Sequence, residues 1–170
     1  MDSLSPGRSL WMRHLADGSD TFIGQTGGVI LTNDLPTRAE LVTLYASVGW
    51  TNYTEHPAAL EQALRSSSFM VCARSDSGEL LGLARTVSDD VSICYVQDIL
   101  VQTGAHLRDV GRALMQAVPS RHTHVMQQVL MTFDGEAQQA FYRSLSFRNT
   151  HDLKNLPTNC YYRALGRELS

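Results

Sequence analysis

The sequence predicts an α/β (α+β) fold in which a mixed, mostly antiparallel central sheet is flanked by helices. Three observations carry this. Strand-like runs at 69–74, 80–87 and 91–101 are separated only by the turn residues Asp76-Ser77-Gly78 and Ser88-Asp89-Asp90, the pattern of an antiparallel meander. The last run leads through a helical pattern at 110–121 into another strand at 125–133, which is a β-α-β unit. Two helical patterns precede the meander, one over 37–48 and one opening at Pro57 and fading into Ser66-Ser67-Ser68. The expected order along the chain is β-α-α-β-β-β-α-β-α-β-β.

Composition supports one soluble globular core. The chain has 170 residues, 43% of them apolar and 18% charged, with no long low-complexity tract. A formal charge of −3 argues against nucleic acid as a partner, because binding to a phosphate backbone needs a clustered basic face. No run approaches the length of about 18 apolar residues that spans a bilayer. The first residues are interrupted by Arg13, His14, Asp17 and Asp20, unlike the apolar core of a secretory signal. A cytoplasmic protein with no membrane partner is expected. Cys72, Cys94 and Cys160 are odd in number and widely spaced, and two lie in apolar strand-like runs, which suits buried free thiols.

Each element has its own local signal. Residues 1–22 mix Ser, Gly, Asp and Arg without periodicity and read as an N-terminal extension outside the core, with a single domain over 23–170. A first strand at 28–32 ends in Asn33, Asp34 and Pro36. Thr37 and Glu40 form a capping box, Leu41, Leu44, Tyr45 and Val48 line one helix face, and Gly49 supplies a left-handed stop. Trp50 and Tyr53 fall in a connecting loop. The helix from Pro57 carries Ala59, Leu60, Ala63 and Leu64 as its apolar stripe, and Val110, Leu114 and Val118 recur one turn apart in a later one. A last helix at 136–145 presents Ala137, Ala140, Phe141 and Leu145, and short strands near 146–150 and 159–165 close the chain.

The segment YVQDILVQTGAHLRDVGRALM, residues 95–115, is the most informative. An apolar strand, a glycine-bearing loop and a basic helix start follow one another, and the first N–H groups of a helix near Val110 make a site for an anion. Arg108 and Arg112 add positive charge around Gly111, where the backbone can approach a phosphate. The same pattern also serves as an ordinary helix entry that binds nothing.

Four segments, LVTLYASVGW (41–50), LLGLARTVSDD (80–90), the 95–115 segment and AQQAFYRSLSF (137–147), resemble in order and spacing the GNAT superfamily of acetyl-CoA-dependent N-acetyltransferases. The likeness runs over about residues 28–165. It implies acetyl-CoA as cosubstrate, with main-chain groups at Leu100 and Val101 receiving the acetyl and pantetheine arm. The diphosphate is then expected on His106, Leu107, Arg108, Asp109, Val110, Gly111 and Arg112. The resemblance also implies Tyr142 as the acid that protonates the departing thiolate and Trp50, Tyr53 and Arg85 as lining of the acceptor pocket. Asp98, near the cofactor-facing end of its strand, is a candidate to accept the proton shed by the amine. By strict alternation Tyr95 and Gln97 lie on the opposite face, unless a bulge intervenes.

The departures from the family pattern are Asp109 in place of the first loop glycine, His106 at the Gln/Arg position, Gly135 where asparagine is common and Ser146 in place of the glycine before Phe147. His122 and His124 have no third ligand nearby in sequence, so no metal is expected, and Cys94 has no evident partner to make it a nucleophile. The expected activity is transfer of acetyl to a primary amine of a small molecule or amino-acid derivative, on a fold in which a homodimer is common. Two alternatives stay open: a degenerate, non-catalytic coenzyme A-binding or protein-interaction module, and a structural partner domain without a cofactor.

Overall fold

Seven strands hydrogen-bond in sequence order, β1 to β7, in the computed structural model, which describes residues 9–14, 20–26, 29–104, 108–155 and 158–163. They are Ser9–His14, Asp20–Thr26, Val29–Thr32, Phe69–Ser75, Leu80–Ser88, Ile93–Val101 and Gln127–Leu130. Each pair is antiparallel except β6 and β7, which are parallel because helix α4 (Arg108–Arg121) carries the chain between them. The mixed, mostly antiparallel sheet and its β-α-β unit are therefore as expected. Two compact units make up the chain, one ending at Met131 and the other starting at Thr132.

In the first unit, α1 (Arg38–Ser47), α2 (Thr51–Thr54) and α3 (Pro57–Arg65) precede the meander. The capping box forms as the sequence predicts: the Thr37 N–H donates to Glu40 Oε2 at 2.7 Å and the Glu40 N–H to Thr37 Oγ1 at 3.3 Å. Glu40 also accepts from Arg74 of β4 at 2.6 Å, so the capping residue ties α1 to the sheet. That hydrogen bond holds the Glu40 carboxyl down at about 2. Gly49 closes α1 with a φ of 79°, the left-handed conformation that glycine adopts without a Cβ clash.

The two faces of the sheet carry different helices. Leu41, Leu44, Tyr45, Leu60 and Leu64 from α1 and α3 pack with Cys72, Leu80, Leu83 and Leu100 of the strands. On the other face, α4 buries Val110, Ala113, Leu114, Met115, Ala117 and Val118. Gly82 of β5 is what lets α4 come this close, since a Cβ there would meet Leu100 O at 2.9 Å and Leu114 Cδ1 at 3.1 Å. The apolar stripe of α3 is narrower than its sequence suggests: Ala59 is exposed, and Leu60 and Leu64 supply the buried contact.

Several boundaries differ from expectation, for physical reasons. Residues 1–22, read as an extension outside the core, include β1 and the start of β2, which build outward from β3. Edge pairing is satisfied by main-chain groups and needs no apolar alternation, so the 3.6- or 2-residue period that marks buried elements is missing. Trp50 and Tyr53 are not in a plain loop, because one helical turn, α2, includes Tyr53. Helix α4 starts at Arg108, two residues before the first buried position, and β7 occupies only Gln127–Leu130 of the apolar run.

The second unit contains α5 (Glu136–Ser144) and a single 3-10 turn at Thr150–Asp152, and among the described residues the closing strands at 146–150 and 159–165 do not form. Helix α5 ends in a Schellman motif: the Phe147 N–H donates to Tyr142 O at 3.1 Å and the Ser146 N–H to Arg143 O at 3.0 Å. The Tyr142 and Phe147 rings meet edge to face across it, with centroids 6.1 Å apart. Ser146 holds the left-handed position of this motif, with a φ of 68°, a conformation that the glycine implied there by the resemblance adopts without a Cβ clash.

Two stability measurements follow from these backbone positions. Gly82→Ala forces the Leu100 carbonyl or α4 to move, and urea unfolding should show a loss of about 1–3 kcal/mol, whereas an unchanged midpoint contradicts the close approach. Ser146→Gly relieves the left-handed serine and should gain roughly 0.5–1 kcal/mol in the same experiment; a loss would contradict the strain argument.

Candidate active site

The site is built on an irregularity in β6. Arg85 faces Asp98 across the β5–β6 ladder, but its neighbour Thr86 pairs with Val96, so Gln97 is an extra residue without an opposing partner. Adjacent residues of β5 point to opposite faces, and cross-strand partners share a face. Val96 therefore lies with Thr86 on the α4 face, while Asp98 and Leu100 lie with Arg85 and Leu83 on the α1 face. The bulge also corrects the alternation argument for Tyr95, which shares its face with Asp98.

Three donors converge on Asp98, whose side chain is 1% exposed. Tyr45 of α1 donates its hydroxyl to Oδ2 at 2.8 Å, Tyr53 of α2 reaches Oδ1 at 3.5 Å, and Arg85 Nε pairs with Oδ2. Arg85 also reaches Ser67 Oγ at 3.5 Å, at the end of α3. Burial works against the guanidinium charge, but the Asp98 carboxylate outweighs it and holds Arg85 above its ordinary range. Burial, reinforced by the same carboxylate, raises both the Tyr45 and Tyr53 hydroxyls, so both stay protonated donors.

Trp50 completes the cluster, its ring centroid 5.9 Å from Tyr45 and 6.0 Å from Tyr53. The structure thus brings together four residues singled out in the sequence, Asp98, Arg85, Trp50 and Tyr53. It adds Tyr45, read there only as a core residue. A tyrosine on an apolar helix stripe looks like any other core residue until the aspartate opposite it is known.

The same strand opens on its other side. Pairing of β6 with β7 ends at Val96 and Leu130, whereas pairing with β5 continues to Val101. Main-chain groups of 97–101 that point away from β5 thus extend beyond the β7 ladder. Leu100 is buried in the α1-face core and turns its main chain to β5 as well, because the Gln102 N–H bonds to Leu81 O and main-chain direction alternates along the strand. Of the two positions expected to meet the cofactor, Val101, half-buried, is the one whose main chain points away from β5. Gln102 pins the end of the strand, donating its N–H to Leu81 O at 2.9 Å and its side-chain amide to Leu80 O at 2.9 Å.

Helix α4 then begins. His106 and Leu107 lie outside the described residues, and Arg108 is the first residue of the helix. Asp109 is exposed in the first turn, Val110 is buried against the sheet, Gly111 is half-buried and Arg112 exposed. A 14-residue helix with Asp109 and Arg112 exposed near its start has an N-terminus of the kind that suits an anion. In the second unit, burial raises the Tyr142 hydroxyl against the opposing effect of a hydrogen bond with Thr132, which keeps the phenol protonated at neutral pH.

This is the architecture of an acyltransferase, with a strand that leaves its neighbour and a helix N-terminus immediately downstream. The family model described as an acetyltransferase (GNAT) domain matches residues 45–155, and the chain belongs to that family. It is similar to a GNAT family acetyltransferase from Streptococcus pneumoniae at 27% identity, with a TM-score of 0.68 over 82% of this chain and 99% of that one. A candidate acetyltransferase from Deinococcus radiodurans shares the fold at 21% identity and a TM-score of 0.65, over 81% and 89% of the two chains. A Staphylococcus aureus protein of unknown function, itself a candidate acetyltransferase, does so at 18% identity and 0.64, over 80% and 99%. Comparison with curated proteins gives no match. No helix among the described residues is long and apolar enough to cross a membrane.

A second polar cluster lies on the α4 face. His122 is buried at the end of α4, its Nε2 hydrogen-bonded with Thr86 Oγ1 at 3.1 Å, while its Nδ1 faces Asp90 Oδ1 at 3.8 Å and has no hydrogen-bond partner. His124 and Arg121 approach the same Asp90 oxygen at 2.9 and 3.6 Å. The order Thr86, His122, Asp90 is that of a nucleophile triad, but Thr86 is 0% exposed and no acyl group can reach it. Cys94 is buried on the same face, and burial pushes its thiol up, away from a nucleophile's range. Among the described residues no cluster of His, Cys, Asp and Glu is arranged to hold a metal.

Burial, with Arg121 adding to it and Asp90 opposing it, lowers the His122 pKa below its ordinary value of 6.5. The folded state therefore favours the neutral ring, and its stabilisation is present above that value and lost as pH falls through the lowered one. Urea midpoints of the native protein should drop more steeply below about pH 6.5 than those of His122→Gln. Parallel curves would remove His122 as the cause.

Proposed function

We propose that this acyltransferase uses acetyl-CoA and passes the acetyl group directly to a primary amine of a small molecule or amino-acid derivative, in the cytoplasm. The observation that carries this reading is the opening of β6 beyond Val96, followed directly by the N-terminus of α4. Bound acetyl-CoA supplies a thioester carbonyl activated towards an amine.

The chain's own groups do the rest. The main-chain N–H of Val101, which points away from β5, donates to the carbonyl oxygen as negative charge builds, held in direction by the β5 ladder. The first turn of α4, with Arg112, neutralises the diphosphate and keeps the thioester from drifting. The Tyr142 phenol gives its proton to the coenzyme sulfur as the carbon–sulfur bond breaks, and the amine's proton leaves to water. Asp98 is better assigned to orientation than to proton removal, because both of its oxygens already accept hydrogen bonds inside the protein. Trp50 and Tyr53, half-buried over Asp98 and Arg85, form the acceptor side of the site.

Asp109 gives the alternative reading its specific observation, since a carboxylate in the first turn of α4 repels a diphosphate unless it turns to solvent. Calorimetric titration with acetyl-CoA and coenzyme A, followed by thiol release over a panel of amines, decides between the two. Binding with thiol release is expected, binding alone would leave a coenzyme A-binding module, and neither would leave a structural domain. In the same assay Tyr142→Phe should lower kcat by about 10²-fold with acetyl-CoA affinity nearly intact, and an unchanged kcat would remove Tyr142 as the acid.

A further inference from the structure

The bulge at Gln97 sits between two very differently held residues. Val96 is bonded into ladders on both sides, to Thr86 of β5 and Leu130 of β7. Asp98, one step beyond the extra residue, has β5 alone beside it. An unpaired residue in a ladder is where a strand can shift or tilt, and a one-residue slip would turn Leu100 out of the core and Val101 into it. The side chains compensate for the missing strand. Helices α1 and α2 and strand β5 all reach for the Asp98 carboxylate, through Tyr45, Tyr53 and Arg85, and the end of α3 steadies Arg85 through Ser67.

We propose that Asp98 is a positioning residue for acetyl transfer: with Arg85 and Tyr45 it locks the Gln97 bulge and thereby aims the outward-facing main chain of Val101 at the reacting carbonyl. The inference rests on the acetyl-transfer reading above and assigns the carboxylate a task that burial leaves open. An apolar pair of the same volume would fill the space but set no direction. Hydrogen bonds to both carboxylate oxygens fix the rotation of the Asp98 side chain, and with it the peptide planes on either side. Donors to a developing charge must be held within a fraction of an ångström, which is the accuracy a locked bulge supplies.

The test compares the wild type with Tyr45→Phe and with the double variant Arg85→Met/Asp98→Leu, which removes both buried charges together and so avoids stranding either one. Acetyl-CoA affinity by calorimetry should stay within about threefold, because the diphosphate contacts on α4 are untouched, while kcat falls about tenfold or more. Hydrogen exchange of the 97–101 amides, followed in the protein without ligand, should quicken by about tenfold while that of α4 does not change. A folded double variant with wild-type kcat and wild-type exchange overturns the proposal, since a purely structural pair would be replaced by packing. If the double variant fails to fold, the same two readouts on Tyr45→Phe decide, and no change in either overturns it. A wild-type protein that neither binds acetyl-CoA nor releases thiol fails at the earlier reading, before any variant is compared, and overturns this one with it.

Discussion

A single carboxylate, fully withdrawn from water, governs the arrangement of the α1 face. Removing one partner from a buried ion pair costs about 3–5 kcal/mol, because the remaining charge is left without compensation. Asp98 and Arg85 are therefore committed to each other, and whatever holds one holds the other. Tyr45 is 0% exposed and donates to the same carboxylate, so α1 is positioned by a directed bond as well as by its leucines. The packing of Leu41 and Leu44 brings α1 to the sheet, and the hydroxyl fixes where along β6 it comes to rest. Trp50 and Tyr53, the proposed acceptor side, are in turn packed edge-on and tilted against Tyr45 and inherit that position.

Helix α4 serves the opposite face with a different division of labour. Its buried stripe from Val110 to Val118 anchors it to β5 and β6, and Gly82 lets it settle close enough for Leu114 to touch the strand. Anchoring along the middle leaves the two ends free for polar work. The N-terminal turn carries Asp109 and Arg112 at the surface, and the C-terminal end buries His122 against Thr86. Neutral histidine suits that place: a charged ring would have only Asp90 to answer it, at 3.8 Å and already engaged by His124. The triad-like order of residues there is thus a packing solution.

What the sequence made legible is what depends on neighbours in the chain. The Thr37–Glu40 box, the Gly49 stop, Pro57 at the start of α3 and the turns of the meander are all local, and each is found where its residues place it. The candidate site was legible as a set of residues, since Asp98, Arg85, Trp50 and Tyr53 do meet. Their mutual roles were not, because these turn on the Gln97 bulge, which no residue type announces: neither glycine nor proline marks it. The β1–β2 hairpin escaped for a related reason. Its pairing is written in backbone groups, which every sequence possesses, and the alternation that betrays a half-buried strand is absent.

The departures from the family pattern take on a different meaning once their conformations are known. Ser146 occupies a left-handed position within an intact Schellman motif, so the missing glycine adds strain to α5 without moving Tyr142 off the end of the helix. Gly135 stands at the N-cap of α5 in extended conformation, where an asparagine would add a side-chain cap and a glycine gives up only a few tenths of a kcal/mol against it. Both changes act on backbone stability in the second unit. Among the described residues Asp109 is the departure that bears on the proposed ligand chemistry, and in the first turn of a helix its charge is favoured by the dipole even without a ligand. In the proposed acetyl-CoA site it therefore competes with the diphosphate for the same partial charges, and the strength of binding there becomes a contest between this carboxylate and the exposed Arg112 three residues on.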